Sequence, residues 1–201
     1  MAVASVRPAV DGDAEGVARV QRTVWTSAYA ELLPPGAVDG FALDEVARAW
    51  REAIGVDGPH GVWVATEGDA LVGFCAAGPA HPEDLVDATG ALPEDADAVG
   101  AVATLLVEPR WGRRGHAGRL LVEAATALRG AGVTRAVAWV PERDVASRGF
   151  FERAGWEADG TVRVLDAGGR PLREIRMVGS VDLEFAPEPT AADLGLPMLD
   201  L

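Results

Sequence analysis

A turn rich in glycine and arginine follows a long apolar run near the middle of the chain. Its residues are Gly112-Arg113-Arg114-Gly115-His116-Ala117-Gly118. The small side chains allow a ligand to approach the backbone, and a helix that begins here presents free N–H groups and the positive end of its dipole. The two arginines add fixed positive charge. The 112–118 turn therefore predicts a binding site for an anion such as a diphosphate.

The elements on either side would hold this turn in place. Residues 99–107 form an almost unbroken apolar run, which predicts a strand buried on both faces. Residues 115–129 show helical periodicity, and Gly130 ends the predicted helix. Two other interpretations of the turn are an ordinary connection with solvated arginines and a Rossmann dinucleotide site. The second needs Gly-x-Gly-x-x-Gly, and the glycines here have a different spacing.

The rest of the sequence predicts a mixed α/β domain over residues 1–181 and a tail over 182–201. The predicted elements are a short first strand, helices at 11–30 and 43–54, a hairpin of 61–67 and 70–78, an acidic loop at 79–98, a strand at 133–140, a helix at 144–153 capped by Asp144, and a closing hairpin of 156–165 and 172–181.

Composition and charge narrow the choice of partners. A formal net charge of -13 disfavours nucleic acid, which is bound mainly through Lys and Arg, and it favours a cationic partner. The sequence shows neither a secretory start nor an apolar run of about 18 residues, so we expect a soluble protein that does not bind membranes. The single cysteine, Cys75, fits a reducing cytoplasm and provides no disulfide or cysteine metal site. We expect no metal.

The segment around the turn resembles the acetyl-CoA motif of the GNAT superfamily of acetyltransferases. Val107-x-Pro109 precedes it, and Gly115-x-Ala117 matches the latter half of the family core, Gln/Arg-x-x-Gly-x-Gly/Ala. Gly112 stands at the first position of that core. The resemblance therefore implies that Arg113 or Arg114 supplies the side-chain part of pyrophosphate binding.

A second motif lies downstream in the order that the family uses. Asp144, Phe150-Phe151 and Gly155-Trp156 are similar to the family's Asn, Phe-Tyr and Gly-Phe. The resemblance implies an α/β (α+β) GNAT fold, with a mixed sheet of about seven strands, about four helices, and fourth and fifth strands that splay to admit the pantetheine arm of acetyl-CoA. The implied coenzyme-binding residues are Leu105, Leu106, Val107, Arg113, Arg114, Gly115, His116, Ala117, Gly118, Asp144, Phe150 and Phe151.

The catalytic groups are less clear from the sequence. A neutral amine that attacks the thioester must lose a proton, and the departing thiolate must gain one. Family members often carry a Glu six residues before the Val, but Ala101 stands there. Because alternate side chains share a strand face, positions 101, 103 and 105 are all expected to present apolar side chains, and the nearest acid in phase is Asp97. His81 and Glu83 are alternative bases.

The sequence also does not identify the group that donates a proton to the departing thiolate. Phe151 replaces the Tyr of many relatives, and Phe has no proton to donate. The candidates are water and Tyr29, the only tyrosine, although Tyr29 also has the spacing of a packed pair with Trp25. We expect the imidazole of His116 to point outward from the helix start.

Three functions fit these features. The first is acetyl transfer from acetyl-CoA to an amine of a small molecule or peptide that carries positive charge. The second is a catalytically degenerate module that binds or senses acetyl-CoA, which Ala101 and Phe151 favour. The third is an interaction domain with neither ligand.

Overall fold

A computed structural model describes residues 4–32, 41–56, 58–87, 89–167 and 169–183. Within these ranges the strands are β1 (Ala4–Pro8), β2 (Gly61–Glu67), β3 (Ala70–Pro79), β4 (Val99–Val107), β5 (Arg135–Pro141), β6 (Glu157–Asp166) and β7 (Pro171–Ser180). The α-helices are α1 (Ala14–Ser27), α2 (Leu43–Ile54), α3 (Pro82–Leu85), α4 (His116–Gly130) and α5 (Val145–Arg153).

The described strands form one sheet in the order β1-β2-β3-β4-β5-β7-β6. Every neighbouring pair is antiparallel except β4 and β5, which run parallel. The predicted fold class, a mixed α/β sheet of seven strands, is confirmed. The one helix beyond the predicted number is α3, a single turn inside the segment expected to be an acidic loop.

The parallel pair separates soon after it begins. β4 pairs with β5 only through Val99, Gly100 and Ala101, which face residues 135–137. Beyond Ala101 and Val137 the two strands share no register pairs, so the sheet opens toward Val107 and Pro141. We call the space between these diverging strand ends the β4–β5 cleft.

A β-bulge in β4 decides which side chains face which side of the sheet. Ala76 of β3 faces Thr104, whereas the next residue, Ala77, faces Val102, so Ala103 is the extra residue. Ala101 and Leu105 consequently pack in clusters on opposite faces. The expectation that positions 101, 103 and 105 share one face is wrong, because an inserted residue reverses the alternation.

Each face of the sheet carries its own layer. On one face, α4 and α5 pack through Leu120, Leu121 and Phe151 in the largest core cluster. On the other face, α1 packs its valines against Phe74 and Leu106. The single turn of α3 places Leu85 over Val99 and Val137 on that second face. The cleft therefore lies between two helical layers.

The ends of the predicted segments differ from the structure in two places. The first long helix begins at Ala14, because residues 11–13 form a 3-10 turn, and it ends at Ser27, so Tyr29 lies in the turn that follows. At the other end, Asp182 pairs with Arg129 at 2.6 Å, and Leu183 packs against the largest core cluster. The first two residues of the predicted tail, 182 and 183, therefore contact the domain, and residues 184–201 of that tail lie outside the described residues.

Candidate functional site

The 112–118 turn leads into α4 through an unusual backbone. Gly115 is the N-cap residue and has a φ of 77°, and Arg113 has a φ of 59°. Glycine adopts this left-handed conformation without penalty, whereas other residues rarely do. The N–H groups of residues 113–118 donate to no backbone or side-chain acceptor among the described residues. Such a run of free donors at a helix start is suited to an anion.

His116 points into the protein, which differs from the outward direction expected from the sequence. The whole residue is only 1% exposed, and its Nε2 lies 3.0 Å from Oε2 of Glu67. Its Nδ1 lies 3.2 Å from Nη2 of Arg119. The tautomer with its proton on Nε2 satisfies both contacts, since it donates to the carboxylate and accepts from the guanidinium. Burial follows because α4 packs on β2, where Glu67 provides a partner.

The two arginines of the turn have different surroundings. Arg114 donates from Nη1 to Oε1 of Glu67 at 2.9 Å, and its guanidinium lies 4.8 Å from the ring centroid of Trp111. Arg113 is exposed and makes no hydrogen bond or ion pair with any described residue. Arg113 is therefore the more available of the two for a bound anion. Sequence reasoning missed Glu67, because it lies at the end of β2, far from the turn in the sequence.

The edges of the cleft come from β4 and from the start of α5. Leu105 and Val107 are half-buried, and Leu106 is buried. Beyond Ala101 the edge of β4 that faces β5 has no ladder partner among the described strands, so its backbone groups are available to an extended ligand. The carboxylate of Asp144 accepts from the backbone N–H of Ser147 at 3.0 Å and from its hydroxyl at 2.6 Å. Asp144 therefore caps α5, as its position predicted.

Tyr29 extends across the mouth of the cleft. It packs against the cluster that contains Leu106 of β4, and its hydroxyl interacts with Asp144 and Ser147 beyond the end of β5. Burial, and then the negative charge of Asp144, raise the pKa of the Tyr29 phenol well above its ordinary value. The phenol therefore keeps its proton at neutral pH and is a weaker acid than an ordinary tyrosine.

The phenylalanines of α5 lie in the apolar layer. Phe151 is 4% exposed, and its ring centroid lies 5.3 Å from that of Phe150 and 5.0 Å from that of Trp156. Phe150 is half-buried. Position 151 therefore contributes packing and no titratable group.

The proposed bases from the sequence lie at the closed end of the strand pair. Asp97 is exposed in a 3-10 turn just before β4, and His81 and Glu83 are exposed at the start of α3. At about 3.3 Å per residue, Asp97 lies roughly 20 Å along the strand from Thr104 in the open part of the cleft. The structure does not bring these three residues together with Tyr29.

A charged group that sequence reasoning missed lies beside the open end. Glu174 of β7 faces Pro141 in register and is 8% exposed. Its Oε2 accepts from Nε of Arg163 at 2.7 Å, and its charge acts on the phenol of Tyr29. Arg163 also donates to Asp84 at 2.9 Å and lies 4.4 Å from the ring centroid of Trp139. Only the pairing of β6 with β7 reveals this arrangement.

Half of the acidic residues of segment 83–97 are already paired within the protein. Asp84 binds Arg163, Asp95 binds Arg135 through two contacts of 2.6 and 2.7 Å, and Asp87 accepts from the backbone N–H groups of Thr89 and Ala91. Among the described residues Glu83, Glu94 and Asp97 have no such partner. The attraction that this segment exerts on a cation is therefore weaker than its composition suggests.

Three further observations concern features outside the cleft. Cys75 is fully buried, and burial raises the pKa of its thiol to about 12, which disfavours a thiolate nucleophile. Over the described ranges, no group of three or more His, Cys, Asp or Glu is arranged to hold a metal ion. In the same residues, no helix has both the length and the apolar character that crossing a membrane requires.

The sequence matches the model of the acetyltransferase (GNAT) family over residues 25–156. A comparison with curated proteins gives no match. Solved structures with the same fold cover most of the chain at low sequence identity. An N-acetyltransferase from Staphylococcus aureus Mu50 superposes with a TM-score of 0.67 and 16% identity, over 90% of this chain and 99% of that one.

Two other similar structures contain the coenzyme. PaiA N-acetyltransferase from Thermoplasma acidophilum, in complex with coenzyme A, has a TM-score of 0.61 and 15% identity over 89% of this chain and 99% of its own. The yncA protein from Salmonella typhimurium, with its cofactor acetyl-CoA, has a TM-score of 0.64 and 18% identity over 93% and 99%. At these identities the likeness concerns the fold.

Proposed function

Since the chain belongs to the acetyltransferase (GNAT) family, we propose that it transfers the acetyl group of acetyl-CoA to an amine by direct attack on the thioester. The observation that carries this proposal is the early separation of β4 from β5, which opens the sheet beside the free N–H groups of the 112–118 turn. An extended thioester arm and a diphosphate are the two chemical parts that such a site accommodates.

In this proposal acetyl-CoA lies along the open edge of β4. Backbone groups of residues 105–107 pair with the pantetheine amides, because that edge has no other partner beyond Ala101. The diphosphate accepts hydrogen bonds from residues 113–118, and Arg113 adds the most available positive charge. Asp144 acts indirectly, by holding the start of α5 beside the arm. Phe150 and Phe151 form the apolar wall.

The acceptor amine approaches from the face that carries α1. Its neutral nitrogen attacks the thioester carbonyl carbon, the C–S bond breaks, the nitrogen loses a proton and the sulfur gains one. Tyr29 is the proposed donor to the sulfur, because it carries an O–H group and packs beside Leu106 of β4 and near Asp144. Glu174 is the proposed acceptor of the amine proton through its Oε1, since Arg163 binds Oε2.

The acceptor is proposed to carry positive charge. The chain has a net charge of -13, and Glu83, Glu94 and Asp97 remain without an ionic partner in the described part of the chain. An acidic protein attracts cations at low ionic strength. The amines to be tested as acceptors, called the amine panel below, are therefore small polyamines, amine-bearing antibiotics, peptide N-termini and lysine side chains.

A second candidate function is a module that binds acetyl-CoA without turnover. Ala101 and the buried Phe151 favour it, because neither provides the acid or base that these positions could hold. Release of the CoA thiol across the amine panel separates the two functions. We expect release with a cationic amine. Calorimetric binding of CoA with no thiol release from any amine would favour the sensing module, and an absence of CoA binding would reject both functions.

A further inference from the structure

A closed ring of polar contacts lies under the 112–118 turn. Glu67, at the end of β2, binds Arg114 with Oε1 at 2.9 Å and His116 with Oε2 at 3.0 Å. Arg119 closes the ring, because its Nη2 donates to the backbone oxygen of Arg114 at 3.0 Å and to Nδ1 of His116 at 3.2 Å. The side chain of Glu67 is 15% exposed and that of His116 is 0% exposed. The contacts of His116 are therefore shielded from water, whereas Arg114 is half exposed, with 52% of its side chain accessible.

Glu67 is distant in the sequence from the turn that it contacts, so its contacts tie the turn to another part of the fold. Glu67 lies 47 residues from Arg114 and 49 residues from His116. Its two oxygens bind the residues on either side of Gly115, the glycine with a φ of 77°. A carboxylate that binds residues 114 and 116 together restricts the backbone between them. The N–H groups that face outward from the turn are held by the same restriction.

Resting on the proposed function, we propose that Glu67 is a positioning residue for the coenzyme. By holding Arg114 and His116, it fixes the turn around Gly115 in the conformation whose N–H groups bind the diphosphate. The affinity for the coenzyme increases because the turn is already ordered before the coenzyme binds, so that binding does not cost the entropy of ordering it.

The sign of the effect distinguishes positioning from simple electrostatics. Glu67 is an anion beside a site that binds an anion, so Coulomb's law alone predicts that removing its charge strengthens CoA binding. Positioning predicts the opposite result. Glu67→Gln keeps the shape of the side chain and removes its charge, and its single carbonyl oxygen cannot replace both carboxylate oxygens. Glu67→Asp keeps the charge and shortens the reach by one methylene.

The test measures the dissociation constant of CoA by calorimetry, together with KM and kcat for acetyl-CoA. We expect both variants to bind CoA about tenfold more weakly, as expected for one lost hydrogen bond to a charged group. We also expect KM for acetyl-CoA to rise while kcat and KM for the amine stay near wild type. The matched control is Asp182→Asn, which breaks an exposed ion pair with Arg129 at the other end of α4. The control variant should bind CoA like the wild type.

Each other outcome has a definite meaning. Tighter binding by Glu67→Gln with unchanged binding by Glu67→Asp would leave only the charge effect and overturn the proposal. A lower melting temperature in both variants with unchanged CoA affinity would assign Glu67 to stability alone and also overturn it. If the wild type itself does not bind CoA, the proposed function fails, and this result is distinct from the first two.

Discussion

Arg113 provides the sharpest test of the anion site, because it is exposed and makes no ion pair with any described residue, whereas Arg114 is bound to Glu67. The change is Arg113→Gln, which removes the charge and keeps most of the side-chain length. Two unit charges 4 Å apart interact by about 1 kcal/mol in water. A diphosphate places one or two charges near this side chain, so the loss should be about 1 to 2 kcal/mol, or roughly 5- to 30-fold in the dissociation constant of CoA.

Salt concentration separates this electrostatic effect from a change in the shape of the turn. The Debye length is about 30 Å at 0.01 M salt and about 3 Å at 1 M. We therefore expect the effect of Arg113→Gln to fall to about twofold or less at 1 M salt. Calorimetric titrations of CoA at both salt concentrations make the comparison directly.

A second arginine provides the control for net charge. Arg48 is exposed on α2, on the opposite face of the sheet from α4, and Arg48→Gln makes the same change in net charge. Its effect on CoA binding should be small at every salt concentration. Equal weakening by Arg113→Gln at low and high salt, or an equally large effect of Arg48→Gln, would refute the assignment of Arg113 to the diphosphate.

Three other predictions follow from the described contacts. Gly115→Ala should weaken CoA binding or lower stability by about 1 to 2 kcal/mol, because an alanine at a φ of 77° is strained. The control is Gly130→Ala at the far end of the same helix, where an added methyl group has open space and should change neither property. Calorimetry measures the CoA affinity of each variant, and thermal melts measure its stability. Tyr29→Phe should lower kcat and leave CoA affinity nearly unchanged, and an unchanged kcat would reject Tyr29 as the proton donor. Arg135 lowers the pKa of Asp95 in the folded state through a hydrogen bond. The pair therefore stabilises the fold at pH values above the unfolded pKa of about 3.9, and this stabilisation disappears as the pH falls through the folded pKa. Asp95→Asn should therefore reduce the melting temperature more at pH 7 than at pH 3. The control is Glu94→Gln, because Glu94 has no ion pair with a described residue, and it should show no such difference between the two pH values.

Local sequence was enough to predict the parts of the site that depend on neighbouring residues. The change from an apolar run to glycines and arginines and then to helical spacing predicted β4, the turn and α4, and each of these elements is present. Asp144 was predicted as a helix cap, and it accepts from the N–H of Ser147 three residues later. These features could be predicted because strand alternation, helix periodicity and capping are all short-range.

Features that depend on strand register could not be predicted in the same way. The bulge at Ala103 changes which side chains of β4 face the amine side, and nothing in the apolar run marks its position. A shift of one residue exchanges the two faces of a strand, so an error at one position reverses the assignment of every later side chain.

The charged partners of the cleft were decided only by tertiary structure. Glu67 meets Arg114 across 47 residues, and Arg163 meets Asp84 across 79. Before folding, each of these side chains is one of many similar charges in a chain with 18 basic and 31 acidic residues. The sequence by itself determined that a turn suited to an anion follows β4. Only the packing of β2 against α4 and the pairing of β6 with β7 determined which carboxylates border that turn and the cleft, because ion pairs form between whichever charges the folded backbone brings within reach.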